Sequence, residues 1–332
     1  MKILGIETSC DETAAAVVES GEVILSSVVA SQVAVHHHYG GVVPELASRK
    51  HVENICGVVD QAIGDACMRP QDIDAVAVTR GPGLVGALLV GFSFAKAFAR
   101  GMEIPWAGVD HLAGHLHSVM LCDEKPSGSF AALLVSGGHT AVYHVHSPAQ
   151  ARLMGRTRDD AAGEAFDKVA KMLGLGYPGG VLISRAAEQG DPETIDFPRA
   201  WLDKNAFDFS FSGLKTAVKR YIETHPDYEA HISDIAAAFE AAVVDVLSHK
   251  LLHAAEVTGC GDVAVVGGVA ANRRLRERVA DEAEKRGLRL FVPDLSLCGD
   301  NAAMIAALGY HYLSDPDGLR GRPDDDVYSR TL

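Results

Sequence analysis

Cysteine is sparse and scattered: the six residues at 10, 56, 67, 122, 260 and 298 include no C-x-x-C pair. That pattern fits reduced, mostly buried thiols in a cytosol better than a disulfide framework or a structural zinc site. Positive charge is also short, with 30 Lys and Arg against 44 Asp and Glu and a formal net charge of −14. A surface of that sign does not by itself attract nucleic acid, because phosphate contacts need cations. Any RNA contact must therefore use local basic patches or a basic partner. Long apolar runs are missing too. The longest uncharged one, residues 81–95, falls short of the roughly 20 residues that cross a bilayer. The opening stretch M-K-I-L-G-I-E-T-S-C-D-E places acids where a signal peptide needs unbroken apolar sequence. The expectation is a soluble, cytoplasmic protein.

What is present is ordinary globular material. Hydrophobic residues make up 48% and charged residues 22% of 332 positions, enough for two lobes with cores of their own. Apolar alternation predicts strands at 3–8, 13–19 and 23–30, then a helix over 42–66 with Leu46, Val52, Ile55, Val59 and Ile63 at helical intervals. A strand at 74–79, a glycine turn at 81–86 and a helix over 87–100 follow, then a strand at 106–110 leading into a helix from His111. The second half echoes this plan: strands at 130–135 and 140–146 around a turn, then a strand at 262–266, a glycine turn and a helix over 270–286. A strand at 288–292 and a helix from Asp300 close it. The echo suggests an internal duplication, with lobes at 1–128 and 129–332 and a mostly helical insertion at about 150–260 in the second. The polar, turn-rich tail after Ser314 reads as loosely ordered.

Four turns have the composition of a phosphate or nucleoside cradle, where glycine lets backbone N–H groups approach and hydroxyls add donors. They are 8–13 (T-S-C-D-E-T), 136–140 (S-G-G-H-T), 267–268 and 81–83; each alone also reads as a mere tight turn. G-P-G-L-V-G at 81–86 matches a dinucleotide fingerprint, but it lies far from the first strand–helix turn where that fingerprint works. His111 and His115, four apart on a helix that follows a strand end, share a face and can hold one metal ion. Asp300 is a candidate third ligand. His249 and His253 have the same spacing with no other metal signal. The acidic cluster 159–168 and the mixed segment 208–215 have bland alternatives in helix capping and core packing. Arg273, Arg274, Arg276 and Arg278 form a basic helical stretch, usually a solvated face.

Nine strings carry a resemblance: G-I-E-T-S-C-D-E-T (5–13), Y-G-G-V-V-P-E-L-A-S-R (39–49), G-P-G-L-V-G-A-L-L-V-G (81–91), L-V-S-G-G-H-T (134–140), D-D-A-A-G-E-A-F-D-K (159–168), Y-P-G-G (177–180), F-S-F-S-G-L-K-T (209–216), G-G-V-A-A-N-R-R-L-R (267–276) and C-G-D-N-A-A-M-I (298–305). In order and across almost the whole chain, they resemble the universal transferases that make N6-threonylcarbamoyladenosine in tRNA, in their bacterial form, a family once classed as glycoproteases. The resemblance implies an α/β, duplicated actin-like ATPase (ASKHA) fold of two lobes with a central cleft. It implies transfer from threonylcarbamoyl-adenylate to N6 of adenosine 37 in tRNAs reading codons that begin with A, with release of AMP. It further implies one divalent metal, Fe2+ or Zn2+, on His111, His115 and Asp300, and adenylate contacts from Leu134, Val135, Ser136, Gly137, Gly138, Asp167, Gly180 and Asn272. A paralogous actin-like subunit and a small ATPase are the implied partners. Asp11 is the candidate catalytic base, with a turn aspartate bonding its own backbone as the alternative. Three positions depart from the pattern: Asp110 stands for a histidine, Ser184 for a nucleotide-contacting aspartate, and Arg80 for a small residue. Rival readings are a metalloprotease, for which the Glu after the first His is missing, and an actin-like small-molecule kinase.

Overall fold

A computed structural model describes residues 1–148, 150–199, 201, 206–315 and 318–330. The chain forms two compact units, Met1–Lys125 with Pro293–Leu332, and Pro126–Val292. The last forty residues thus belong to the first unit, because the two ends of the chain share a core.

The first unit holds β1 (Lys2–Glu7), β2 (Glu12–Glu19), β3 (Val23–Ser31), the short helix α1 (Val33–His36), α2 (Pro44–Asp65), β4 (Ala75–Gly81), α3 (Val85–Met102), β5 (Trp106–Asp110) and α4 (His111–His117). Its sheet has the order β3-β2-β1-β4-β5. The β1–β2 and β2–β3 pairs are antiparallel; β1–β4 and β4–β5 are parallel. Both faces are covered, which is why these strands read as near-continuous apolar runs. Leu4, Ile6, Ala15, Val17, Val76 and Val78 pack with Ile55, Val59, Phe92 and Ala95 of α2 and α3. Ile3, Ala14, Ala16, Val18, Ala75 and Ala77 face a helix from the far end of the chain, at Ala302–Ser314. That helix lies unusually close to the sheet: a Cβ at Gly309 would sit 2.3 Å from the Cβ of Ala77, and one at Gly5 would sit 2.2 Å from the Ala302 carbonyl. Only glycine at both positions permits this approach.

The second unit holds β6 (Phe130–Val135), β7 (Thr140–Ser147), β8 (Gln150–Arg156), α5 (Ala162–Met172), α6 (Gly179–Ala187), α7 (Ser212–Thr224), α8 (Ile232–Thr258), β9 (Asp262–Val266), α9 (Arg273–Lys285) and β10 (Arg289–Phe291). Back in the first unit come α10 (Leu295–Cys298) and the Ala302–Ser314 helix, α11. The second sheet, β10-β9-β6-β7-β8, repeats the first strand for strand and sense for sense. The duplication expected from the sequence is therefore present. The insertion at 150–260 begins with a strand, β8, and from Ala162 carries the separate helices α5 to α8.

Several boundaries move for local reasons. Asn272 and Asn301 cap α9 and α11 through their side chains, so these helices start at 273 and 302 instead of 270 and 300. Two cysteines, Cys56 and Cys67, are exposed, against the expectation of mostly buried thiols. The tail over 318–330 is tied down by backbone hydrogen bonds, contrary to the loose order expected of it. By length and composition α3 is apolar enough to cross a membrane; here Phe92, Ala95 and Ala99 face the core of the first unit.

Candidate functional site

In the first unit the polar groups gather at the carboxyl ends of the parallel strands, where α/β folds place their sites. Glu7 ends β1, Thr79 lies near the end of β4, and His111 follows the last residue of β5. Asp110 caps α4 by accepting the Ala113 N–H at 2.9 Å, which starts the helix on His111 and puts His115 one turn later on the same face. Asp300 immediately precedes the cap of α11. Its neighbour Asn301 is fully buried and donates to the carbonyls of Leu297 and Gly299 at 3.2 and 2.9 Å, fixing that turn.

These elements bring His111, His115 and Asp300 together, with one donor atom from each lying within 4.8 Å of the others. Asp300 Oδ1 is 3.1 Å from His115 Nε2 and 3.6 Å from His111 Nε2. Ligands about 2.1 Å from one ion stand roughly 3–3.5 Å apart, so the donor set fits a cation. It is the one such group among the described residues. The equal-spaced pair His249 and His253 is instead part of a ring cluster, against Trp201 and Phe207 respectively.

Glu7 is the residue that sequence reasoning missed. It is fully buried and accepts from His111 Nδ1 at 3.0 Å, Thr79 Oγ1 at 2.5 Å and Ser9 N at 2.5 Å. A carboxylate only accepts, so it holds the hydrogen on Nδ1 and turns Nε2 toward Asp300. Burial pulls Glu7 upward, but the His111 charge and hydrogen bond outweigh it and hold the carboxyl below its usual range. For His111, burial favours the neutral ring, yet Glu7 and Asp300 raise it to about 9. The available signal was a carboxylate ending a buried apolar strand, K-I-L-G-I-E, an expensive placement without a purpose. Asp11 is buried at the β1–β2 turn, and its carbonyl accepts from Gln32 N. Beside it, burial first and then the charges of Asp300 and Asp11 push Glu12 up to about 9.

The second unit joins the other predicted residues through one chain of contacts. Leu134 and Val135 are buried at the end of β6, leading into the turn at 136–139, where Ser136 N donates to His139 O at 2.8 Å. Gly163 of α5 packs under that turn; a Cβ there would lie 2.6 Å from Ser136 O and 2.7 Å from Gly137 Cα. Further along α5, Asp167 accepts the Gly179 N–H at 2.7 Å at the start of α6. On α6, Ser184 donates to Glu240 at 2.7 Å, and Asn272 donates to both at 2.9 and 2.7 Å. Ser184, the departure from the aspartate pattern, is thus paired with a buried glutamate that the sequence reading did not single out. A Cβ at Gly137, Gly138, Gly180 or Gly268 meets nothing within 4 Å, so these glycines border open space. Gly83 differs: a Cβ there would sit 2.6 Å from Ser9 O, so the 81–86 glycines serve packing and give the dinucleotide reading no support.

Two further motifs are structural. Asp159 accepts from Phe211 N at 2.8 Å and from Ser210 Oγ at the start of α7. Asp160 binds Lys168 at 2.8 Å and Lys215 at 2.5 Å, clamping α5 to α7.

Comparison with known proteins gives these sites a context. A family model described as TsaD, tRNA N6-adenosine threonylcarbamoyltransferase, matches residues 23–307. A relative of that name from Desulforapulum autotrophicum is 59% identical over 332 residues, covering 100% of this chain and 99% of its own length. Another of that name from Desulfotalea psychrophila is 52% identical, covering 100% and 97%. Among solved structures, the HypF of T. kodakarensis superposes with a TM-score of 0.64 at 15% identity, over 94% of this chain and 48% of that one. The activator of the 2-hydroxyisocaproyl-CoA dehydratase from Clostridium difficile gives 0.57 at 16%, over 94% and 95%. At such identities the likeness concerns the fold alone, the duplicated actin-like ATPase fold that the two repeated sheets display. Sequence identity over the full length carries more: the chain belongs to the tRNA N6-adenosine threonylcarbamoyltransferase family.

Proposed function

We propose that this chain transfers the threonylcarbamoyl group from threonylcarbamoyl-adenylate to N6 of adenosine 37 in tRNAs reading codons that begin with A, releasing AMP. The observation that carries the reading is the convergence of two buried histidines, His111 and His115, with the half-buried Asp300 in a chain of this family. Two imidazoles and one carboxylate suit Fe2+, with Zn2+ as the alternative. Bound there, the ion supplies Lewis acidity toward the carbonyl of the mixed anhydride. Glu7 keeps His111 in the tautomer such a ligand needs. The backbone of 134–138, with Asp167, Gly180 and Asn272, holds the adenylate, and the open space at Gly137 and Gly138 suits a phosphate on backbone N–H groups. AMP leaves without needing a proton, so the demand falls on orienting a weakly nucleophilic amine and taking its proton. Asp11 is the group assigned to that proton.

The reaction takes place in the cytoplasm, with a paralogous actin-like subunit and a small ATPase as partners. The inner face of α2 is core, but Val52 on α2, with Val85 and Leu89 on the adjoining α3, stays exposed and offers an apolar contact. The test combines metal analysis with nucleoside analysis of tRNA incubated with threonylcarbamoyl-adenylate and the partner subunits. His115→Ala should lose metal and product together, and His253→Ala should keep both. Equal losses from His253→Ala would remove the triad from the mechanism. A protease or a kinase would give no modified nucleoside at all.

A further inference from the structure

The tail of the chain is fastened along β5, the edge strand that ends at the histidine pair. Gly321 N donates to Trp106 O at 2.7 Å at one end of that strand. Lys96 Nζ donates to the carbonyls of Pro323 and Asp325 at 2.8 and 3.2 Å. Arg80 Nε donates to Asp326 O at 2.7 Å, its guanidinium lies 3.5 Å from Asp325 Oδ1, and Arg80 O accepts from Tyr328 N at 3.1 Å. At the far end of β5, the Tyr328 hydroxyl donates to Asp110 Oδ2 at 2.6 Å. The other oxygen of that carboxylate, Oδ1, caps α4 through Ala113 N. One side chain therefore ties the tail to the first turn of the helix that carries both histidines. Gly81 makes room for this: with φ +149, a Cβ there would lie 2.2 Å from Tyr328 O and 2.8 Å from the ring.

We propose that Tyr328 is a positioning residue, holding Asp110 so that α4 presents His111 and His115 to Asp300. The idea rests on the metal reading above. It also gives a role to Arg80 and Asp110, two positions that sequence comparison left without an explanation. A free Asp110 side chain samples other rotamers; the tyrosine hydrogen bond holds it in the one that caps α4. Asp110 and Tyr328 touch neither substrate nor metal in this scheme, so the expected signature is in metal retention rather than in folding.

The experiment measures Co2+ and Zn2+ affinity of the full-length protein by chelator competition, with the visible spectrum of bound Co2+ and thermal melting alongside. Tyr328→Phe, which removes only the hydroxyl, should weaken metal binding about 10-fold, the lower end for groups that orient ligands. The Co2+ bands should shift and the melting temperature should hold. Arg80→Ala should act in the same direction, while Arg320→Ala, on an exposed tail side chain, should do nothing. In an Asp110→Ala background, Tyr328→Phe should add no further loss. Unchanged affinity and spectrum in Tyr328→Phe, or full additivity with Asp110→Ala, would overturn the proposal. His115→Ala separates this from the reading beneath it: if that variant keeps its metal, the triad is wrong, and if it loses the metal while Tyr328→Phe does not, only the strap is wrong.

Discussion

At Gly138 an added Cβ has no neighbour within 4 Å, and the turn it occupies is half-exposed. Bulk there costs the fold little, within about 0.5 kcal/mol for a surface change, whereas it fills the space assigned to a phosphate. Gly138→Val is therefore expected to melt like the parent protein and to lose binding of a non-hydrolysable threonylcarbamoyl-adenylate analogue by about 100-fold, on the order of 2.7 kcal/mol. Calorimetry that finds normal binding would take the turn out of the site. Residues of this kind were legible from the sequence because glycine and a fixed histidine spacing leave marks in the chain. Glu7 was legible only in part: its place at the end of an apolar strand marks it, but nothing in K-I-L-G-I-E says that its carboxylate will meet an imidazole 104 residues away. Nor does the sequence around Glu240 announce its partners, Ser184 and Asn272, which lie 56 and 32 residues off.

The elements were easier to read than their assembly. Strands such as Phe130–Val135 and Asp262–Val266 stand where apolar patterning puts them, because a strand buried on both faces leaves little freedom in its sequence. What the patterning could not give was the return of α11 to the first sheet, which depends on Gly5 and Gly309 lying against distant partners. Nor could it give the seat of the tail, made by backbone carbonyls that any sequence possesses. The clamp between α5 and α7 offers a test at this scale. Burial raises the Asp160 carboxyl, but the hydrogen bonds and charges of Lys168 and Lys215 win and lower it. A carboxyl lowered in the folded state contributes stability above its unfolded value of about 3.9, and that contribution disappears as pH falls through the folded value. The lysines are partly exposed, which limits the effect to about 1 kcal/mol. Denaturant unfolding should show Asp160→Asn weaker than the parent near pH 7, with the gap closing below about pH 4. A gap that persists undiminished in acid would mean that the clamp is not ionic.

As a whole the molecule is acidic, with a net charge of −14, and its basic stretches are largely spent on local acids. Lys215 faces Asp160, Arg273 faces Glu277, and Arg278 lies near Asp245 and Glu282. Arg220 and Arg274 are left without an ion pair among the described residues. Unaided tRNA binding should therefore be weak and fall steeply with salt, and sustained transfer at physiological salt should require both partner subunits. Sustained turnover by the isolated chain under those conditions would remove the partner requirement. Beneath it lies the claim that the adenylate's acyl group ends on the tRNA. A single-turnover reaction with isotope-labelled threonylcarbamoyl-adenylate, unmodified tRNA and the complete set of subunits tests this directly. One AMP should be released for each labelled N6-threonylcarbamoyladenosine recovered by nucleoside analysis; AMP released with the label left in free threonine or bicarbonate would rule out transfer to the tRNA.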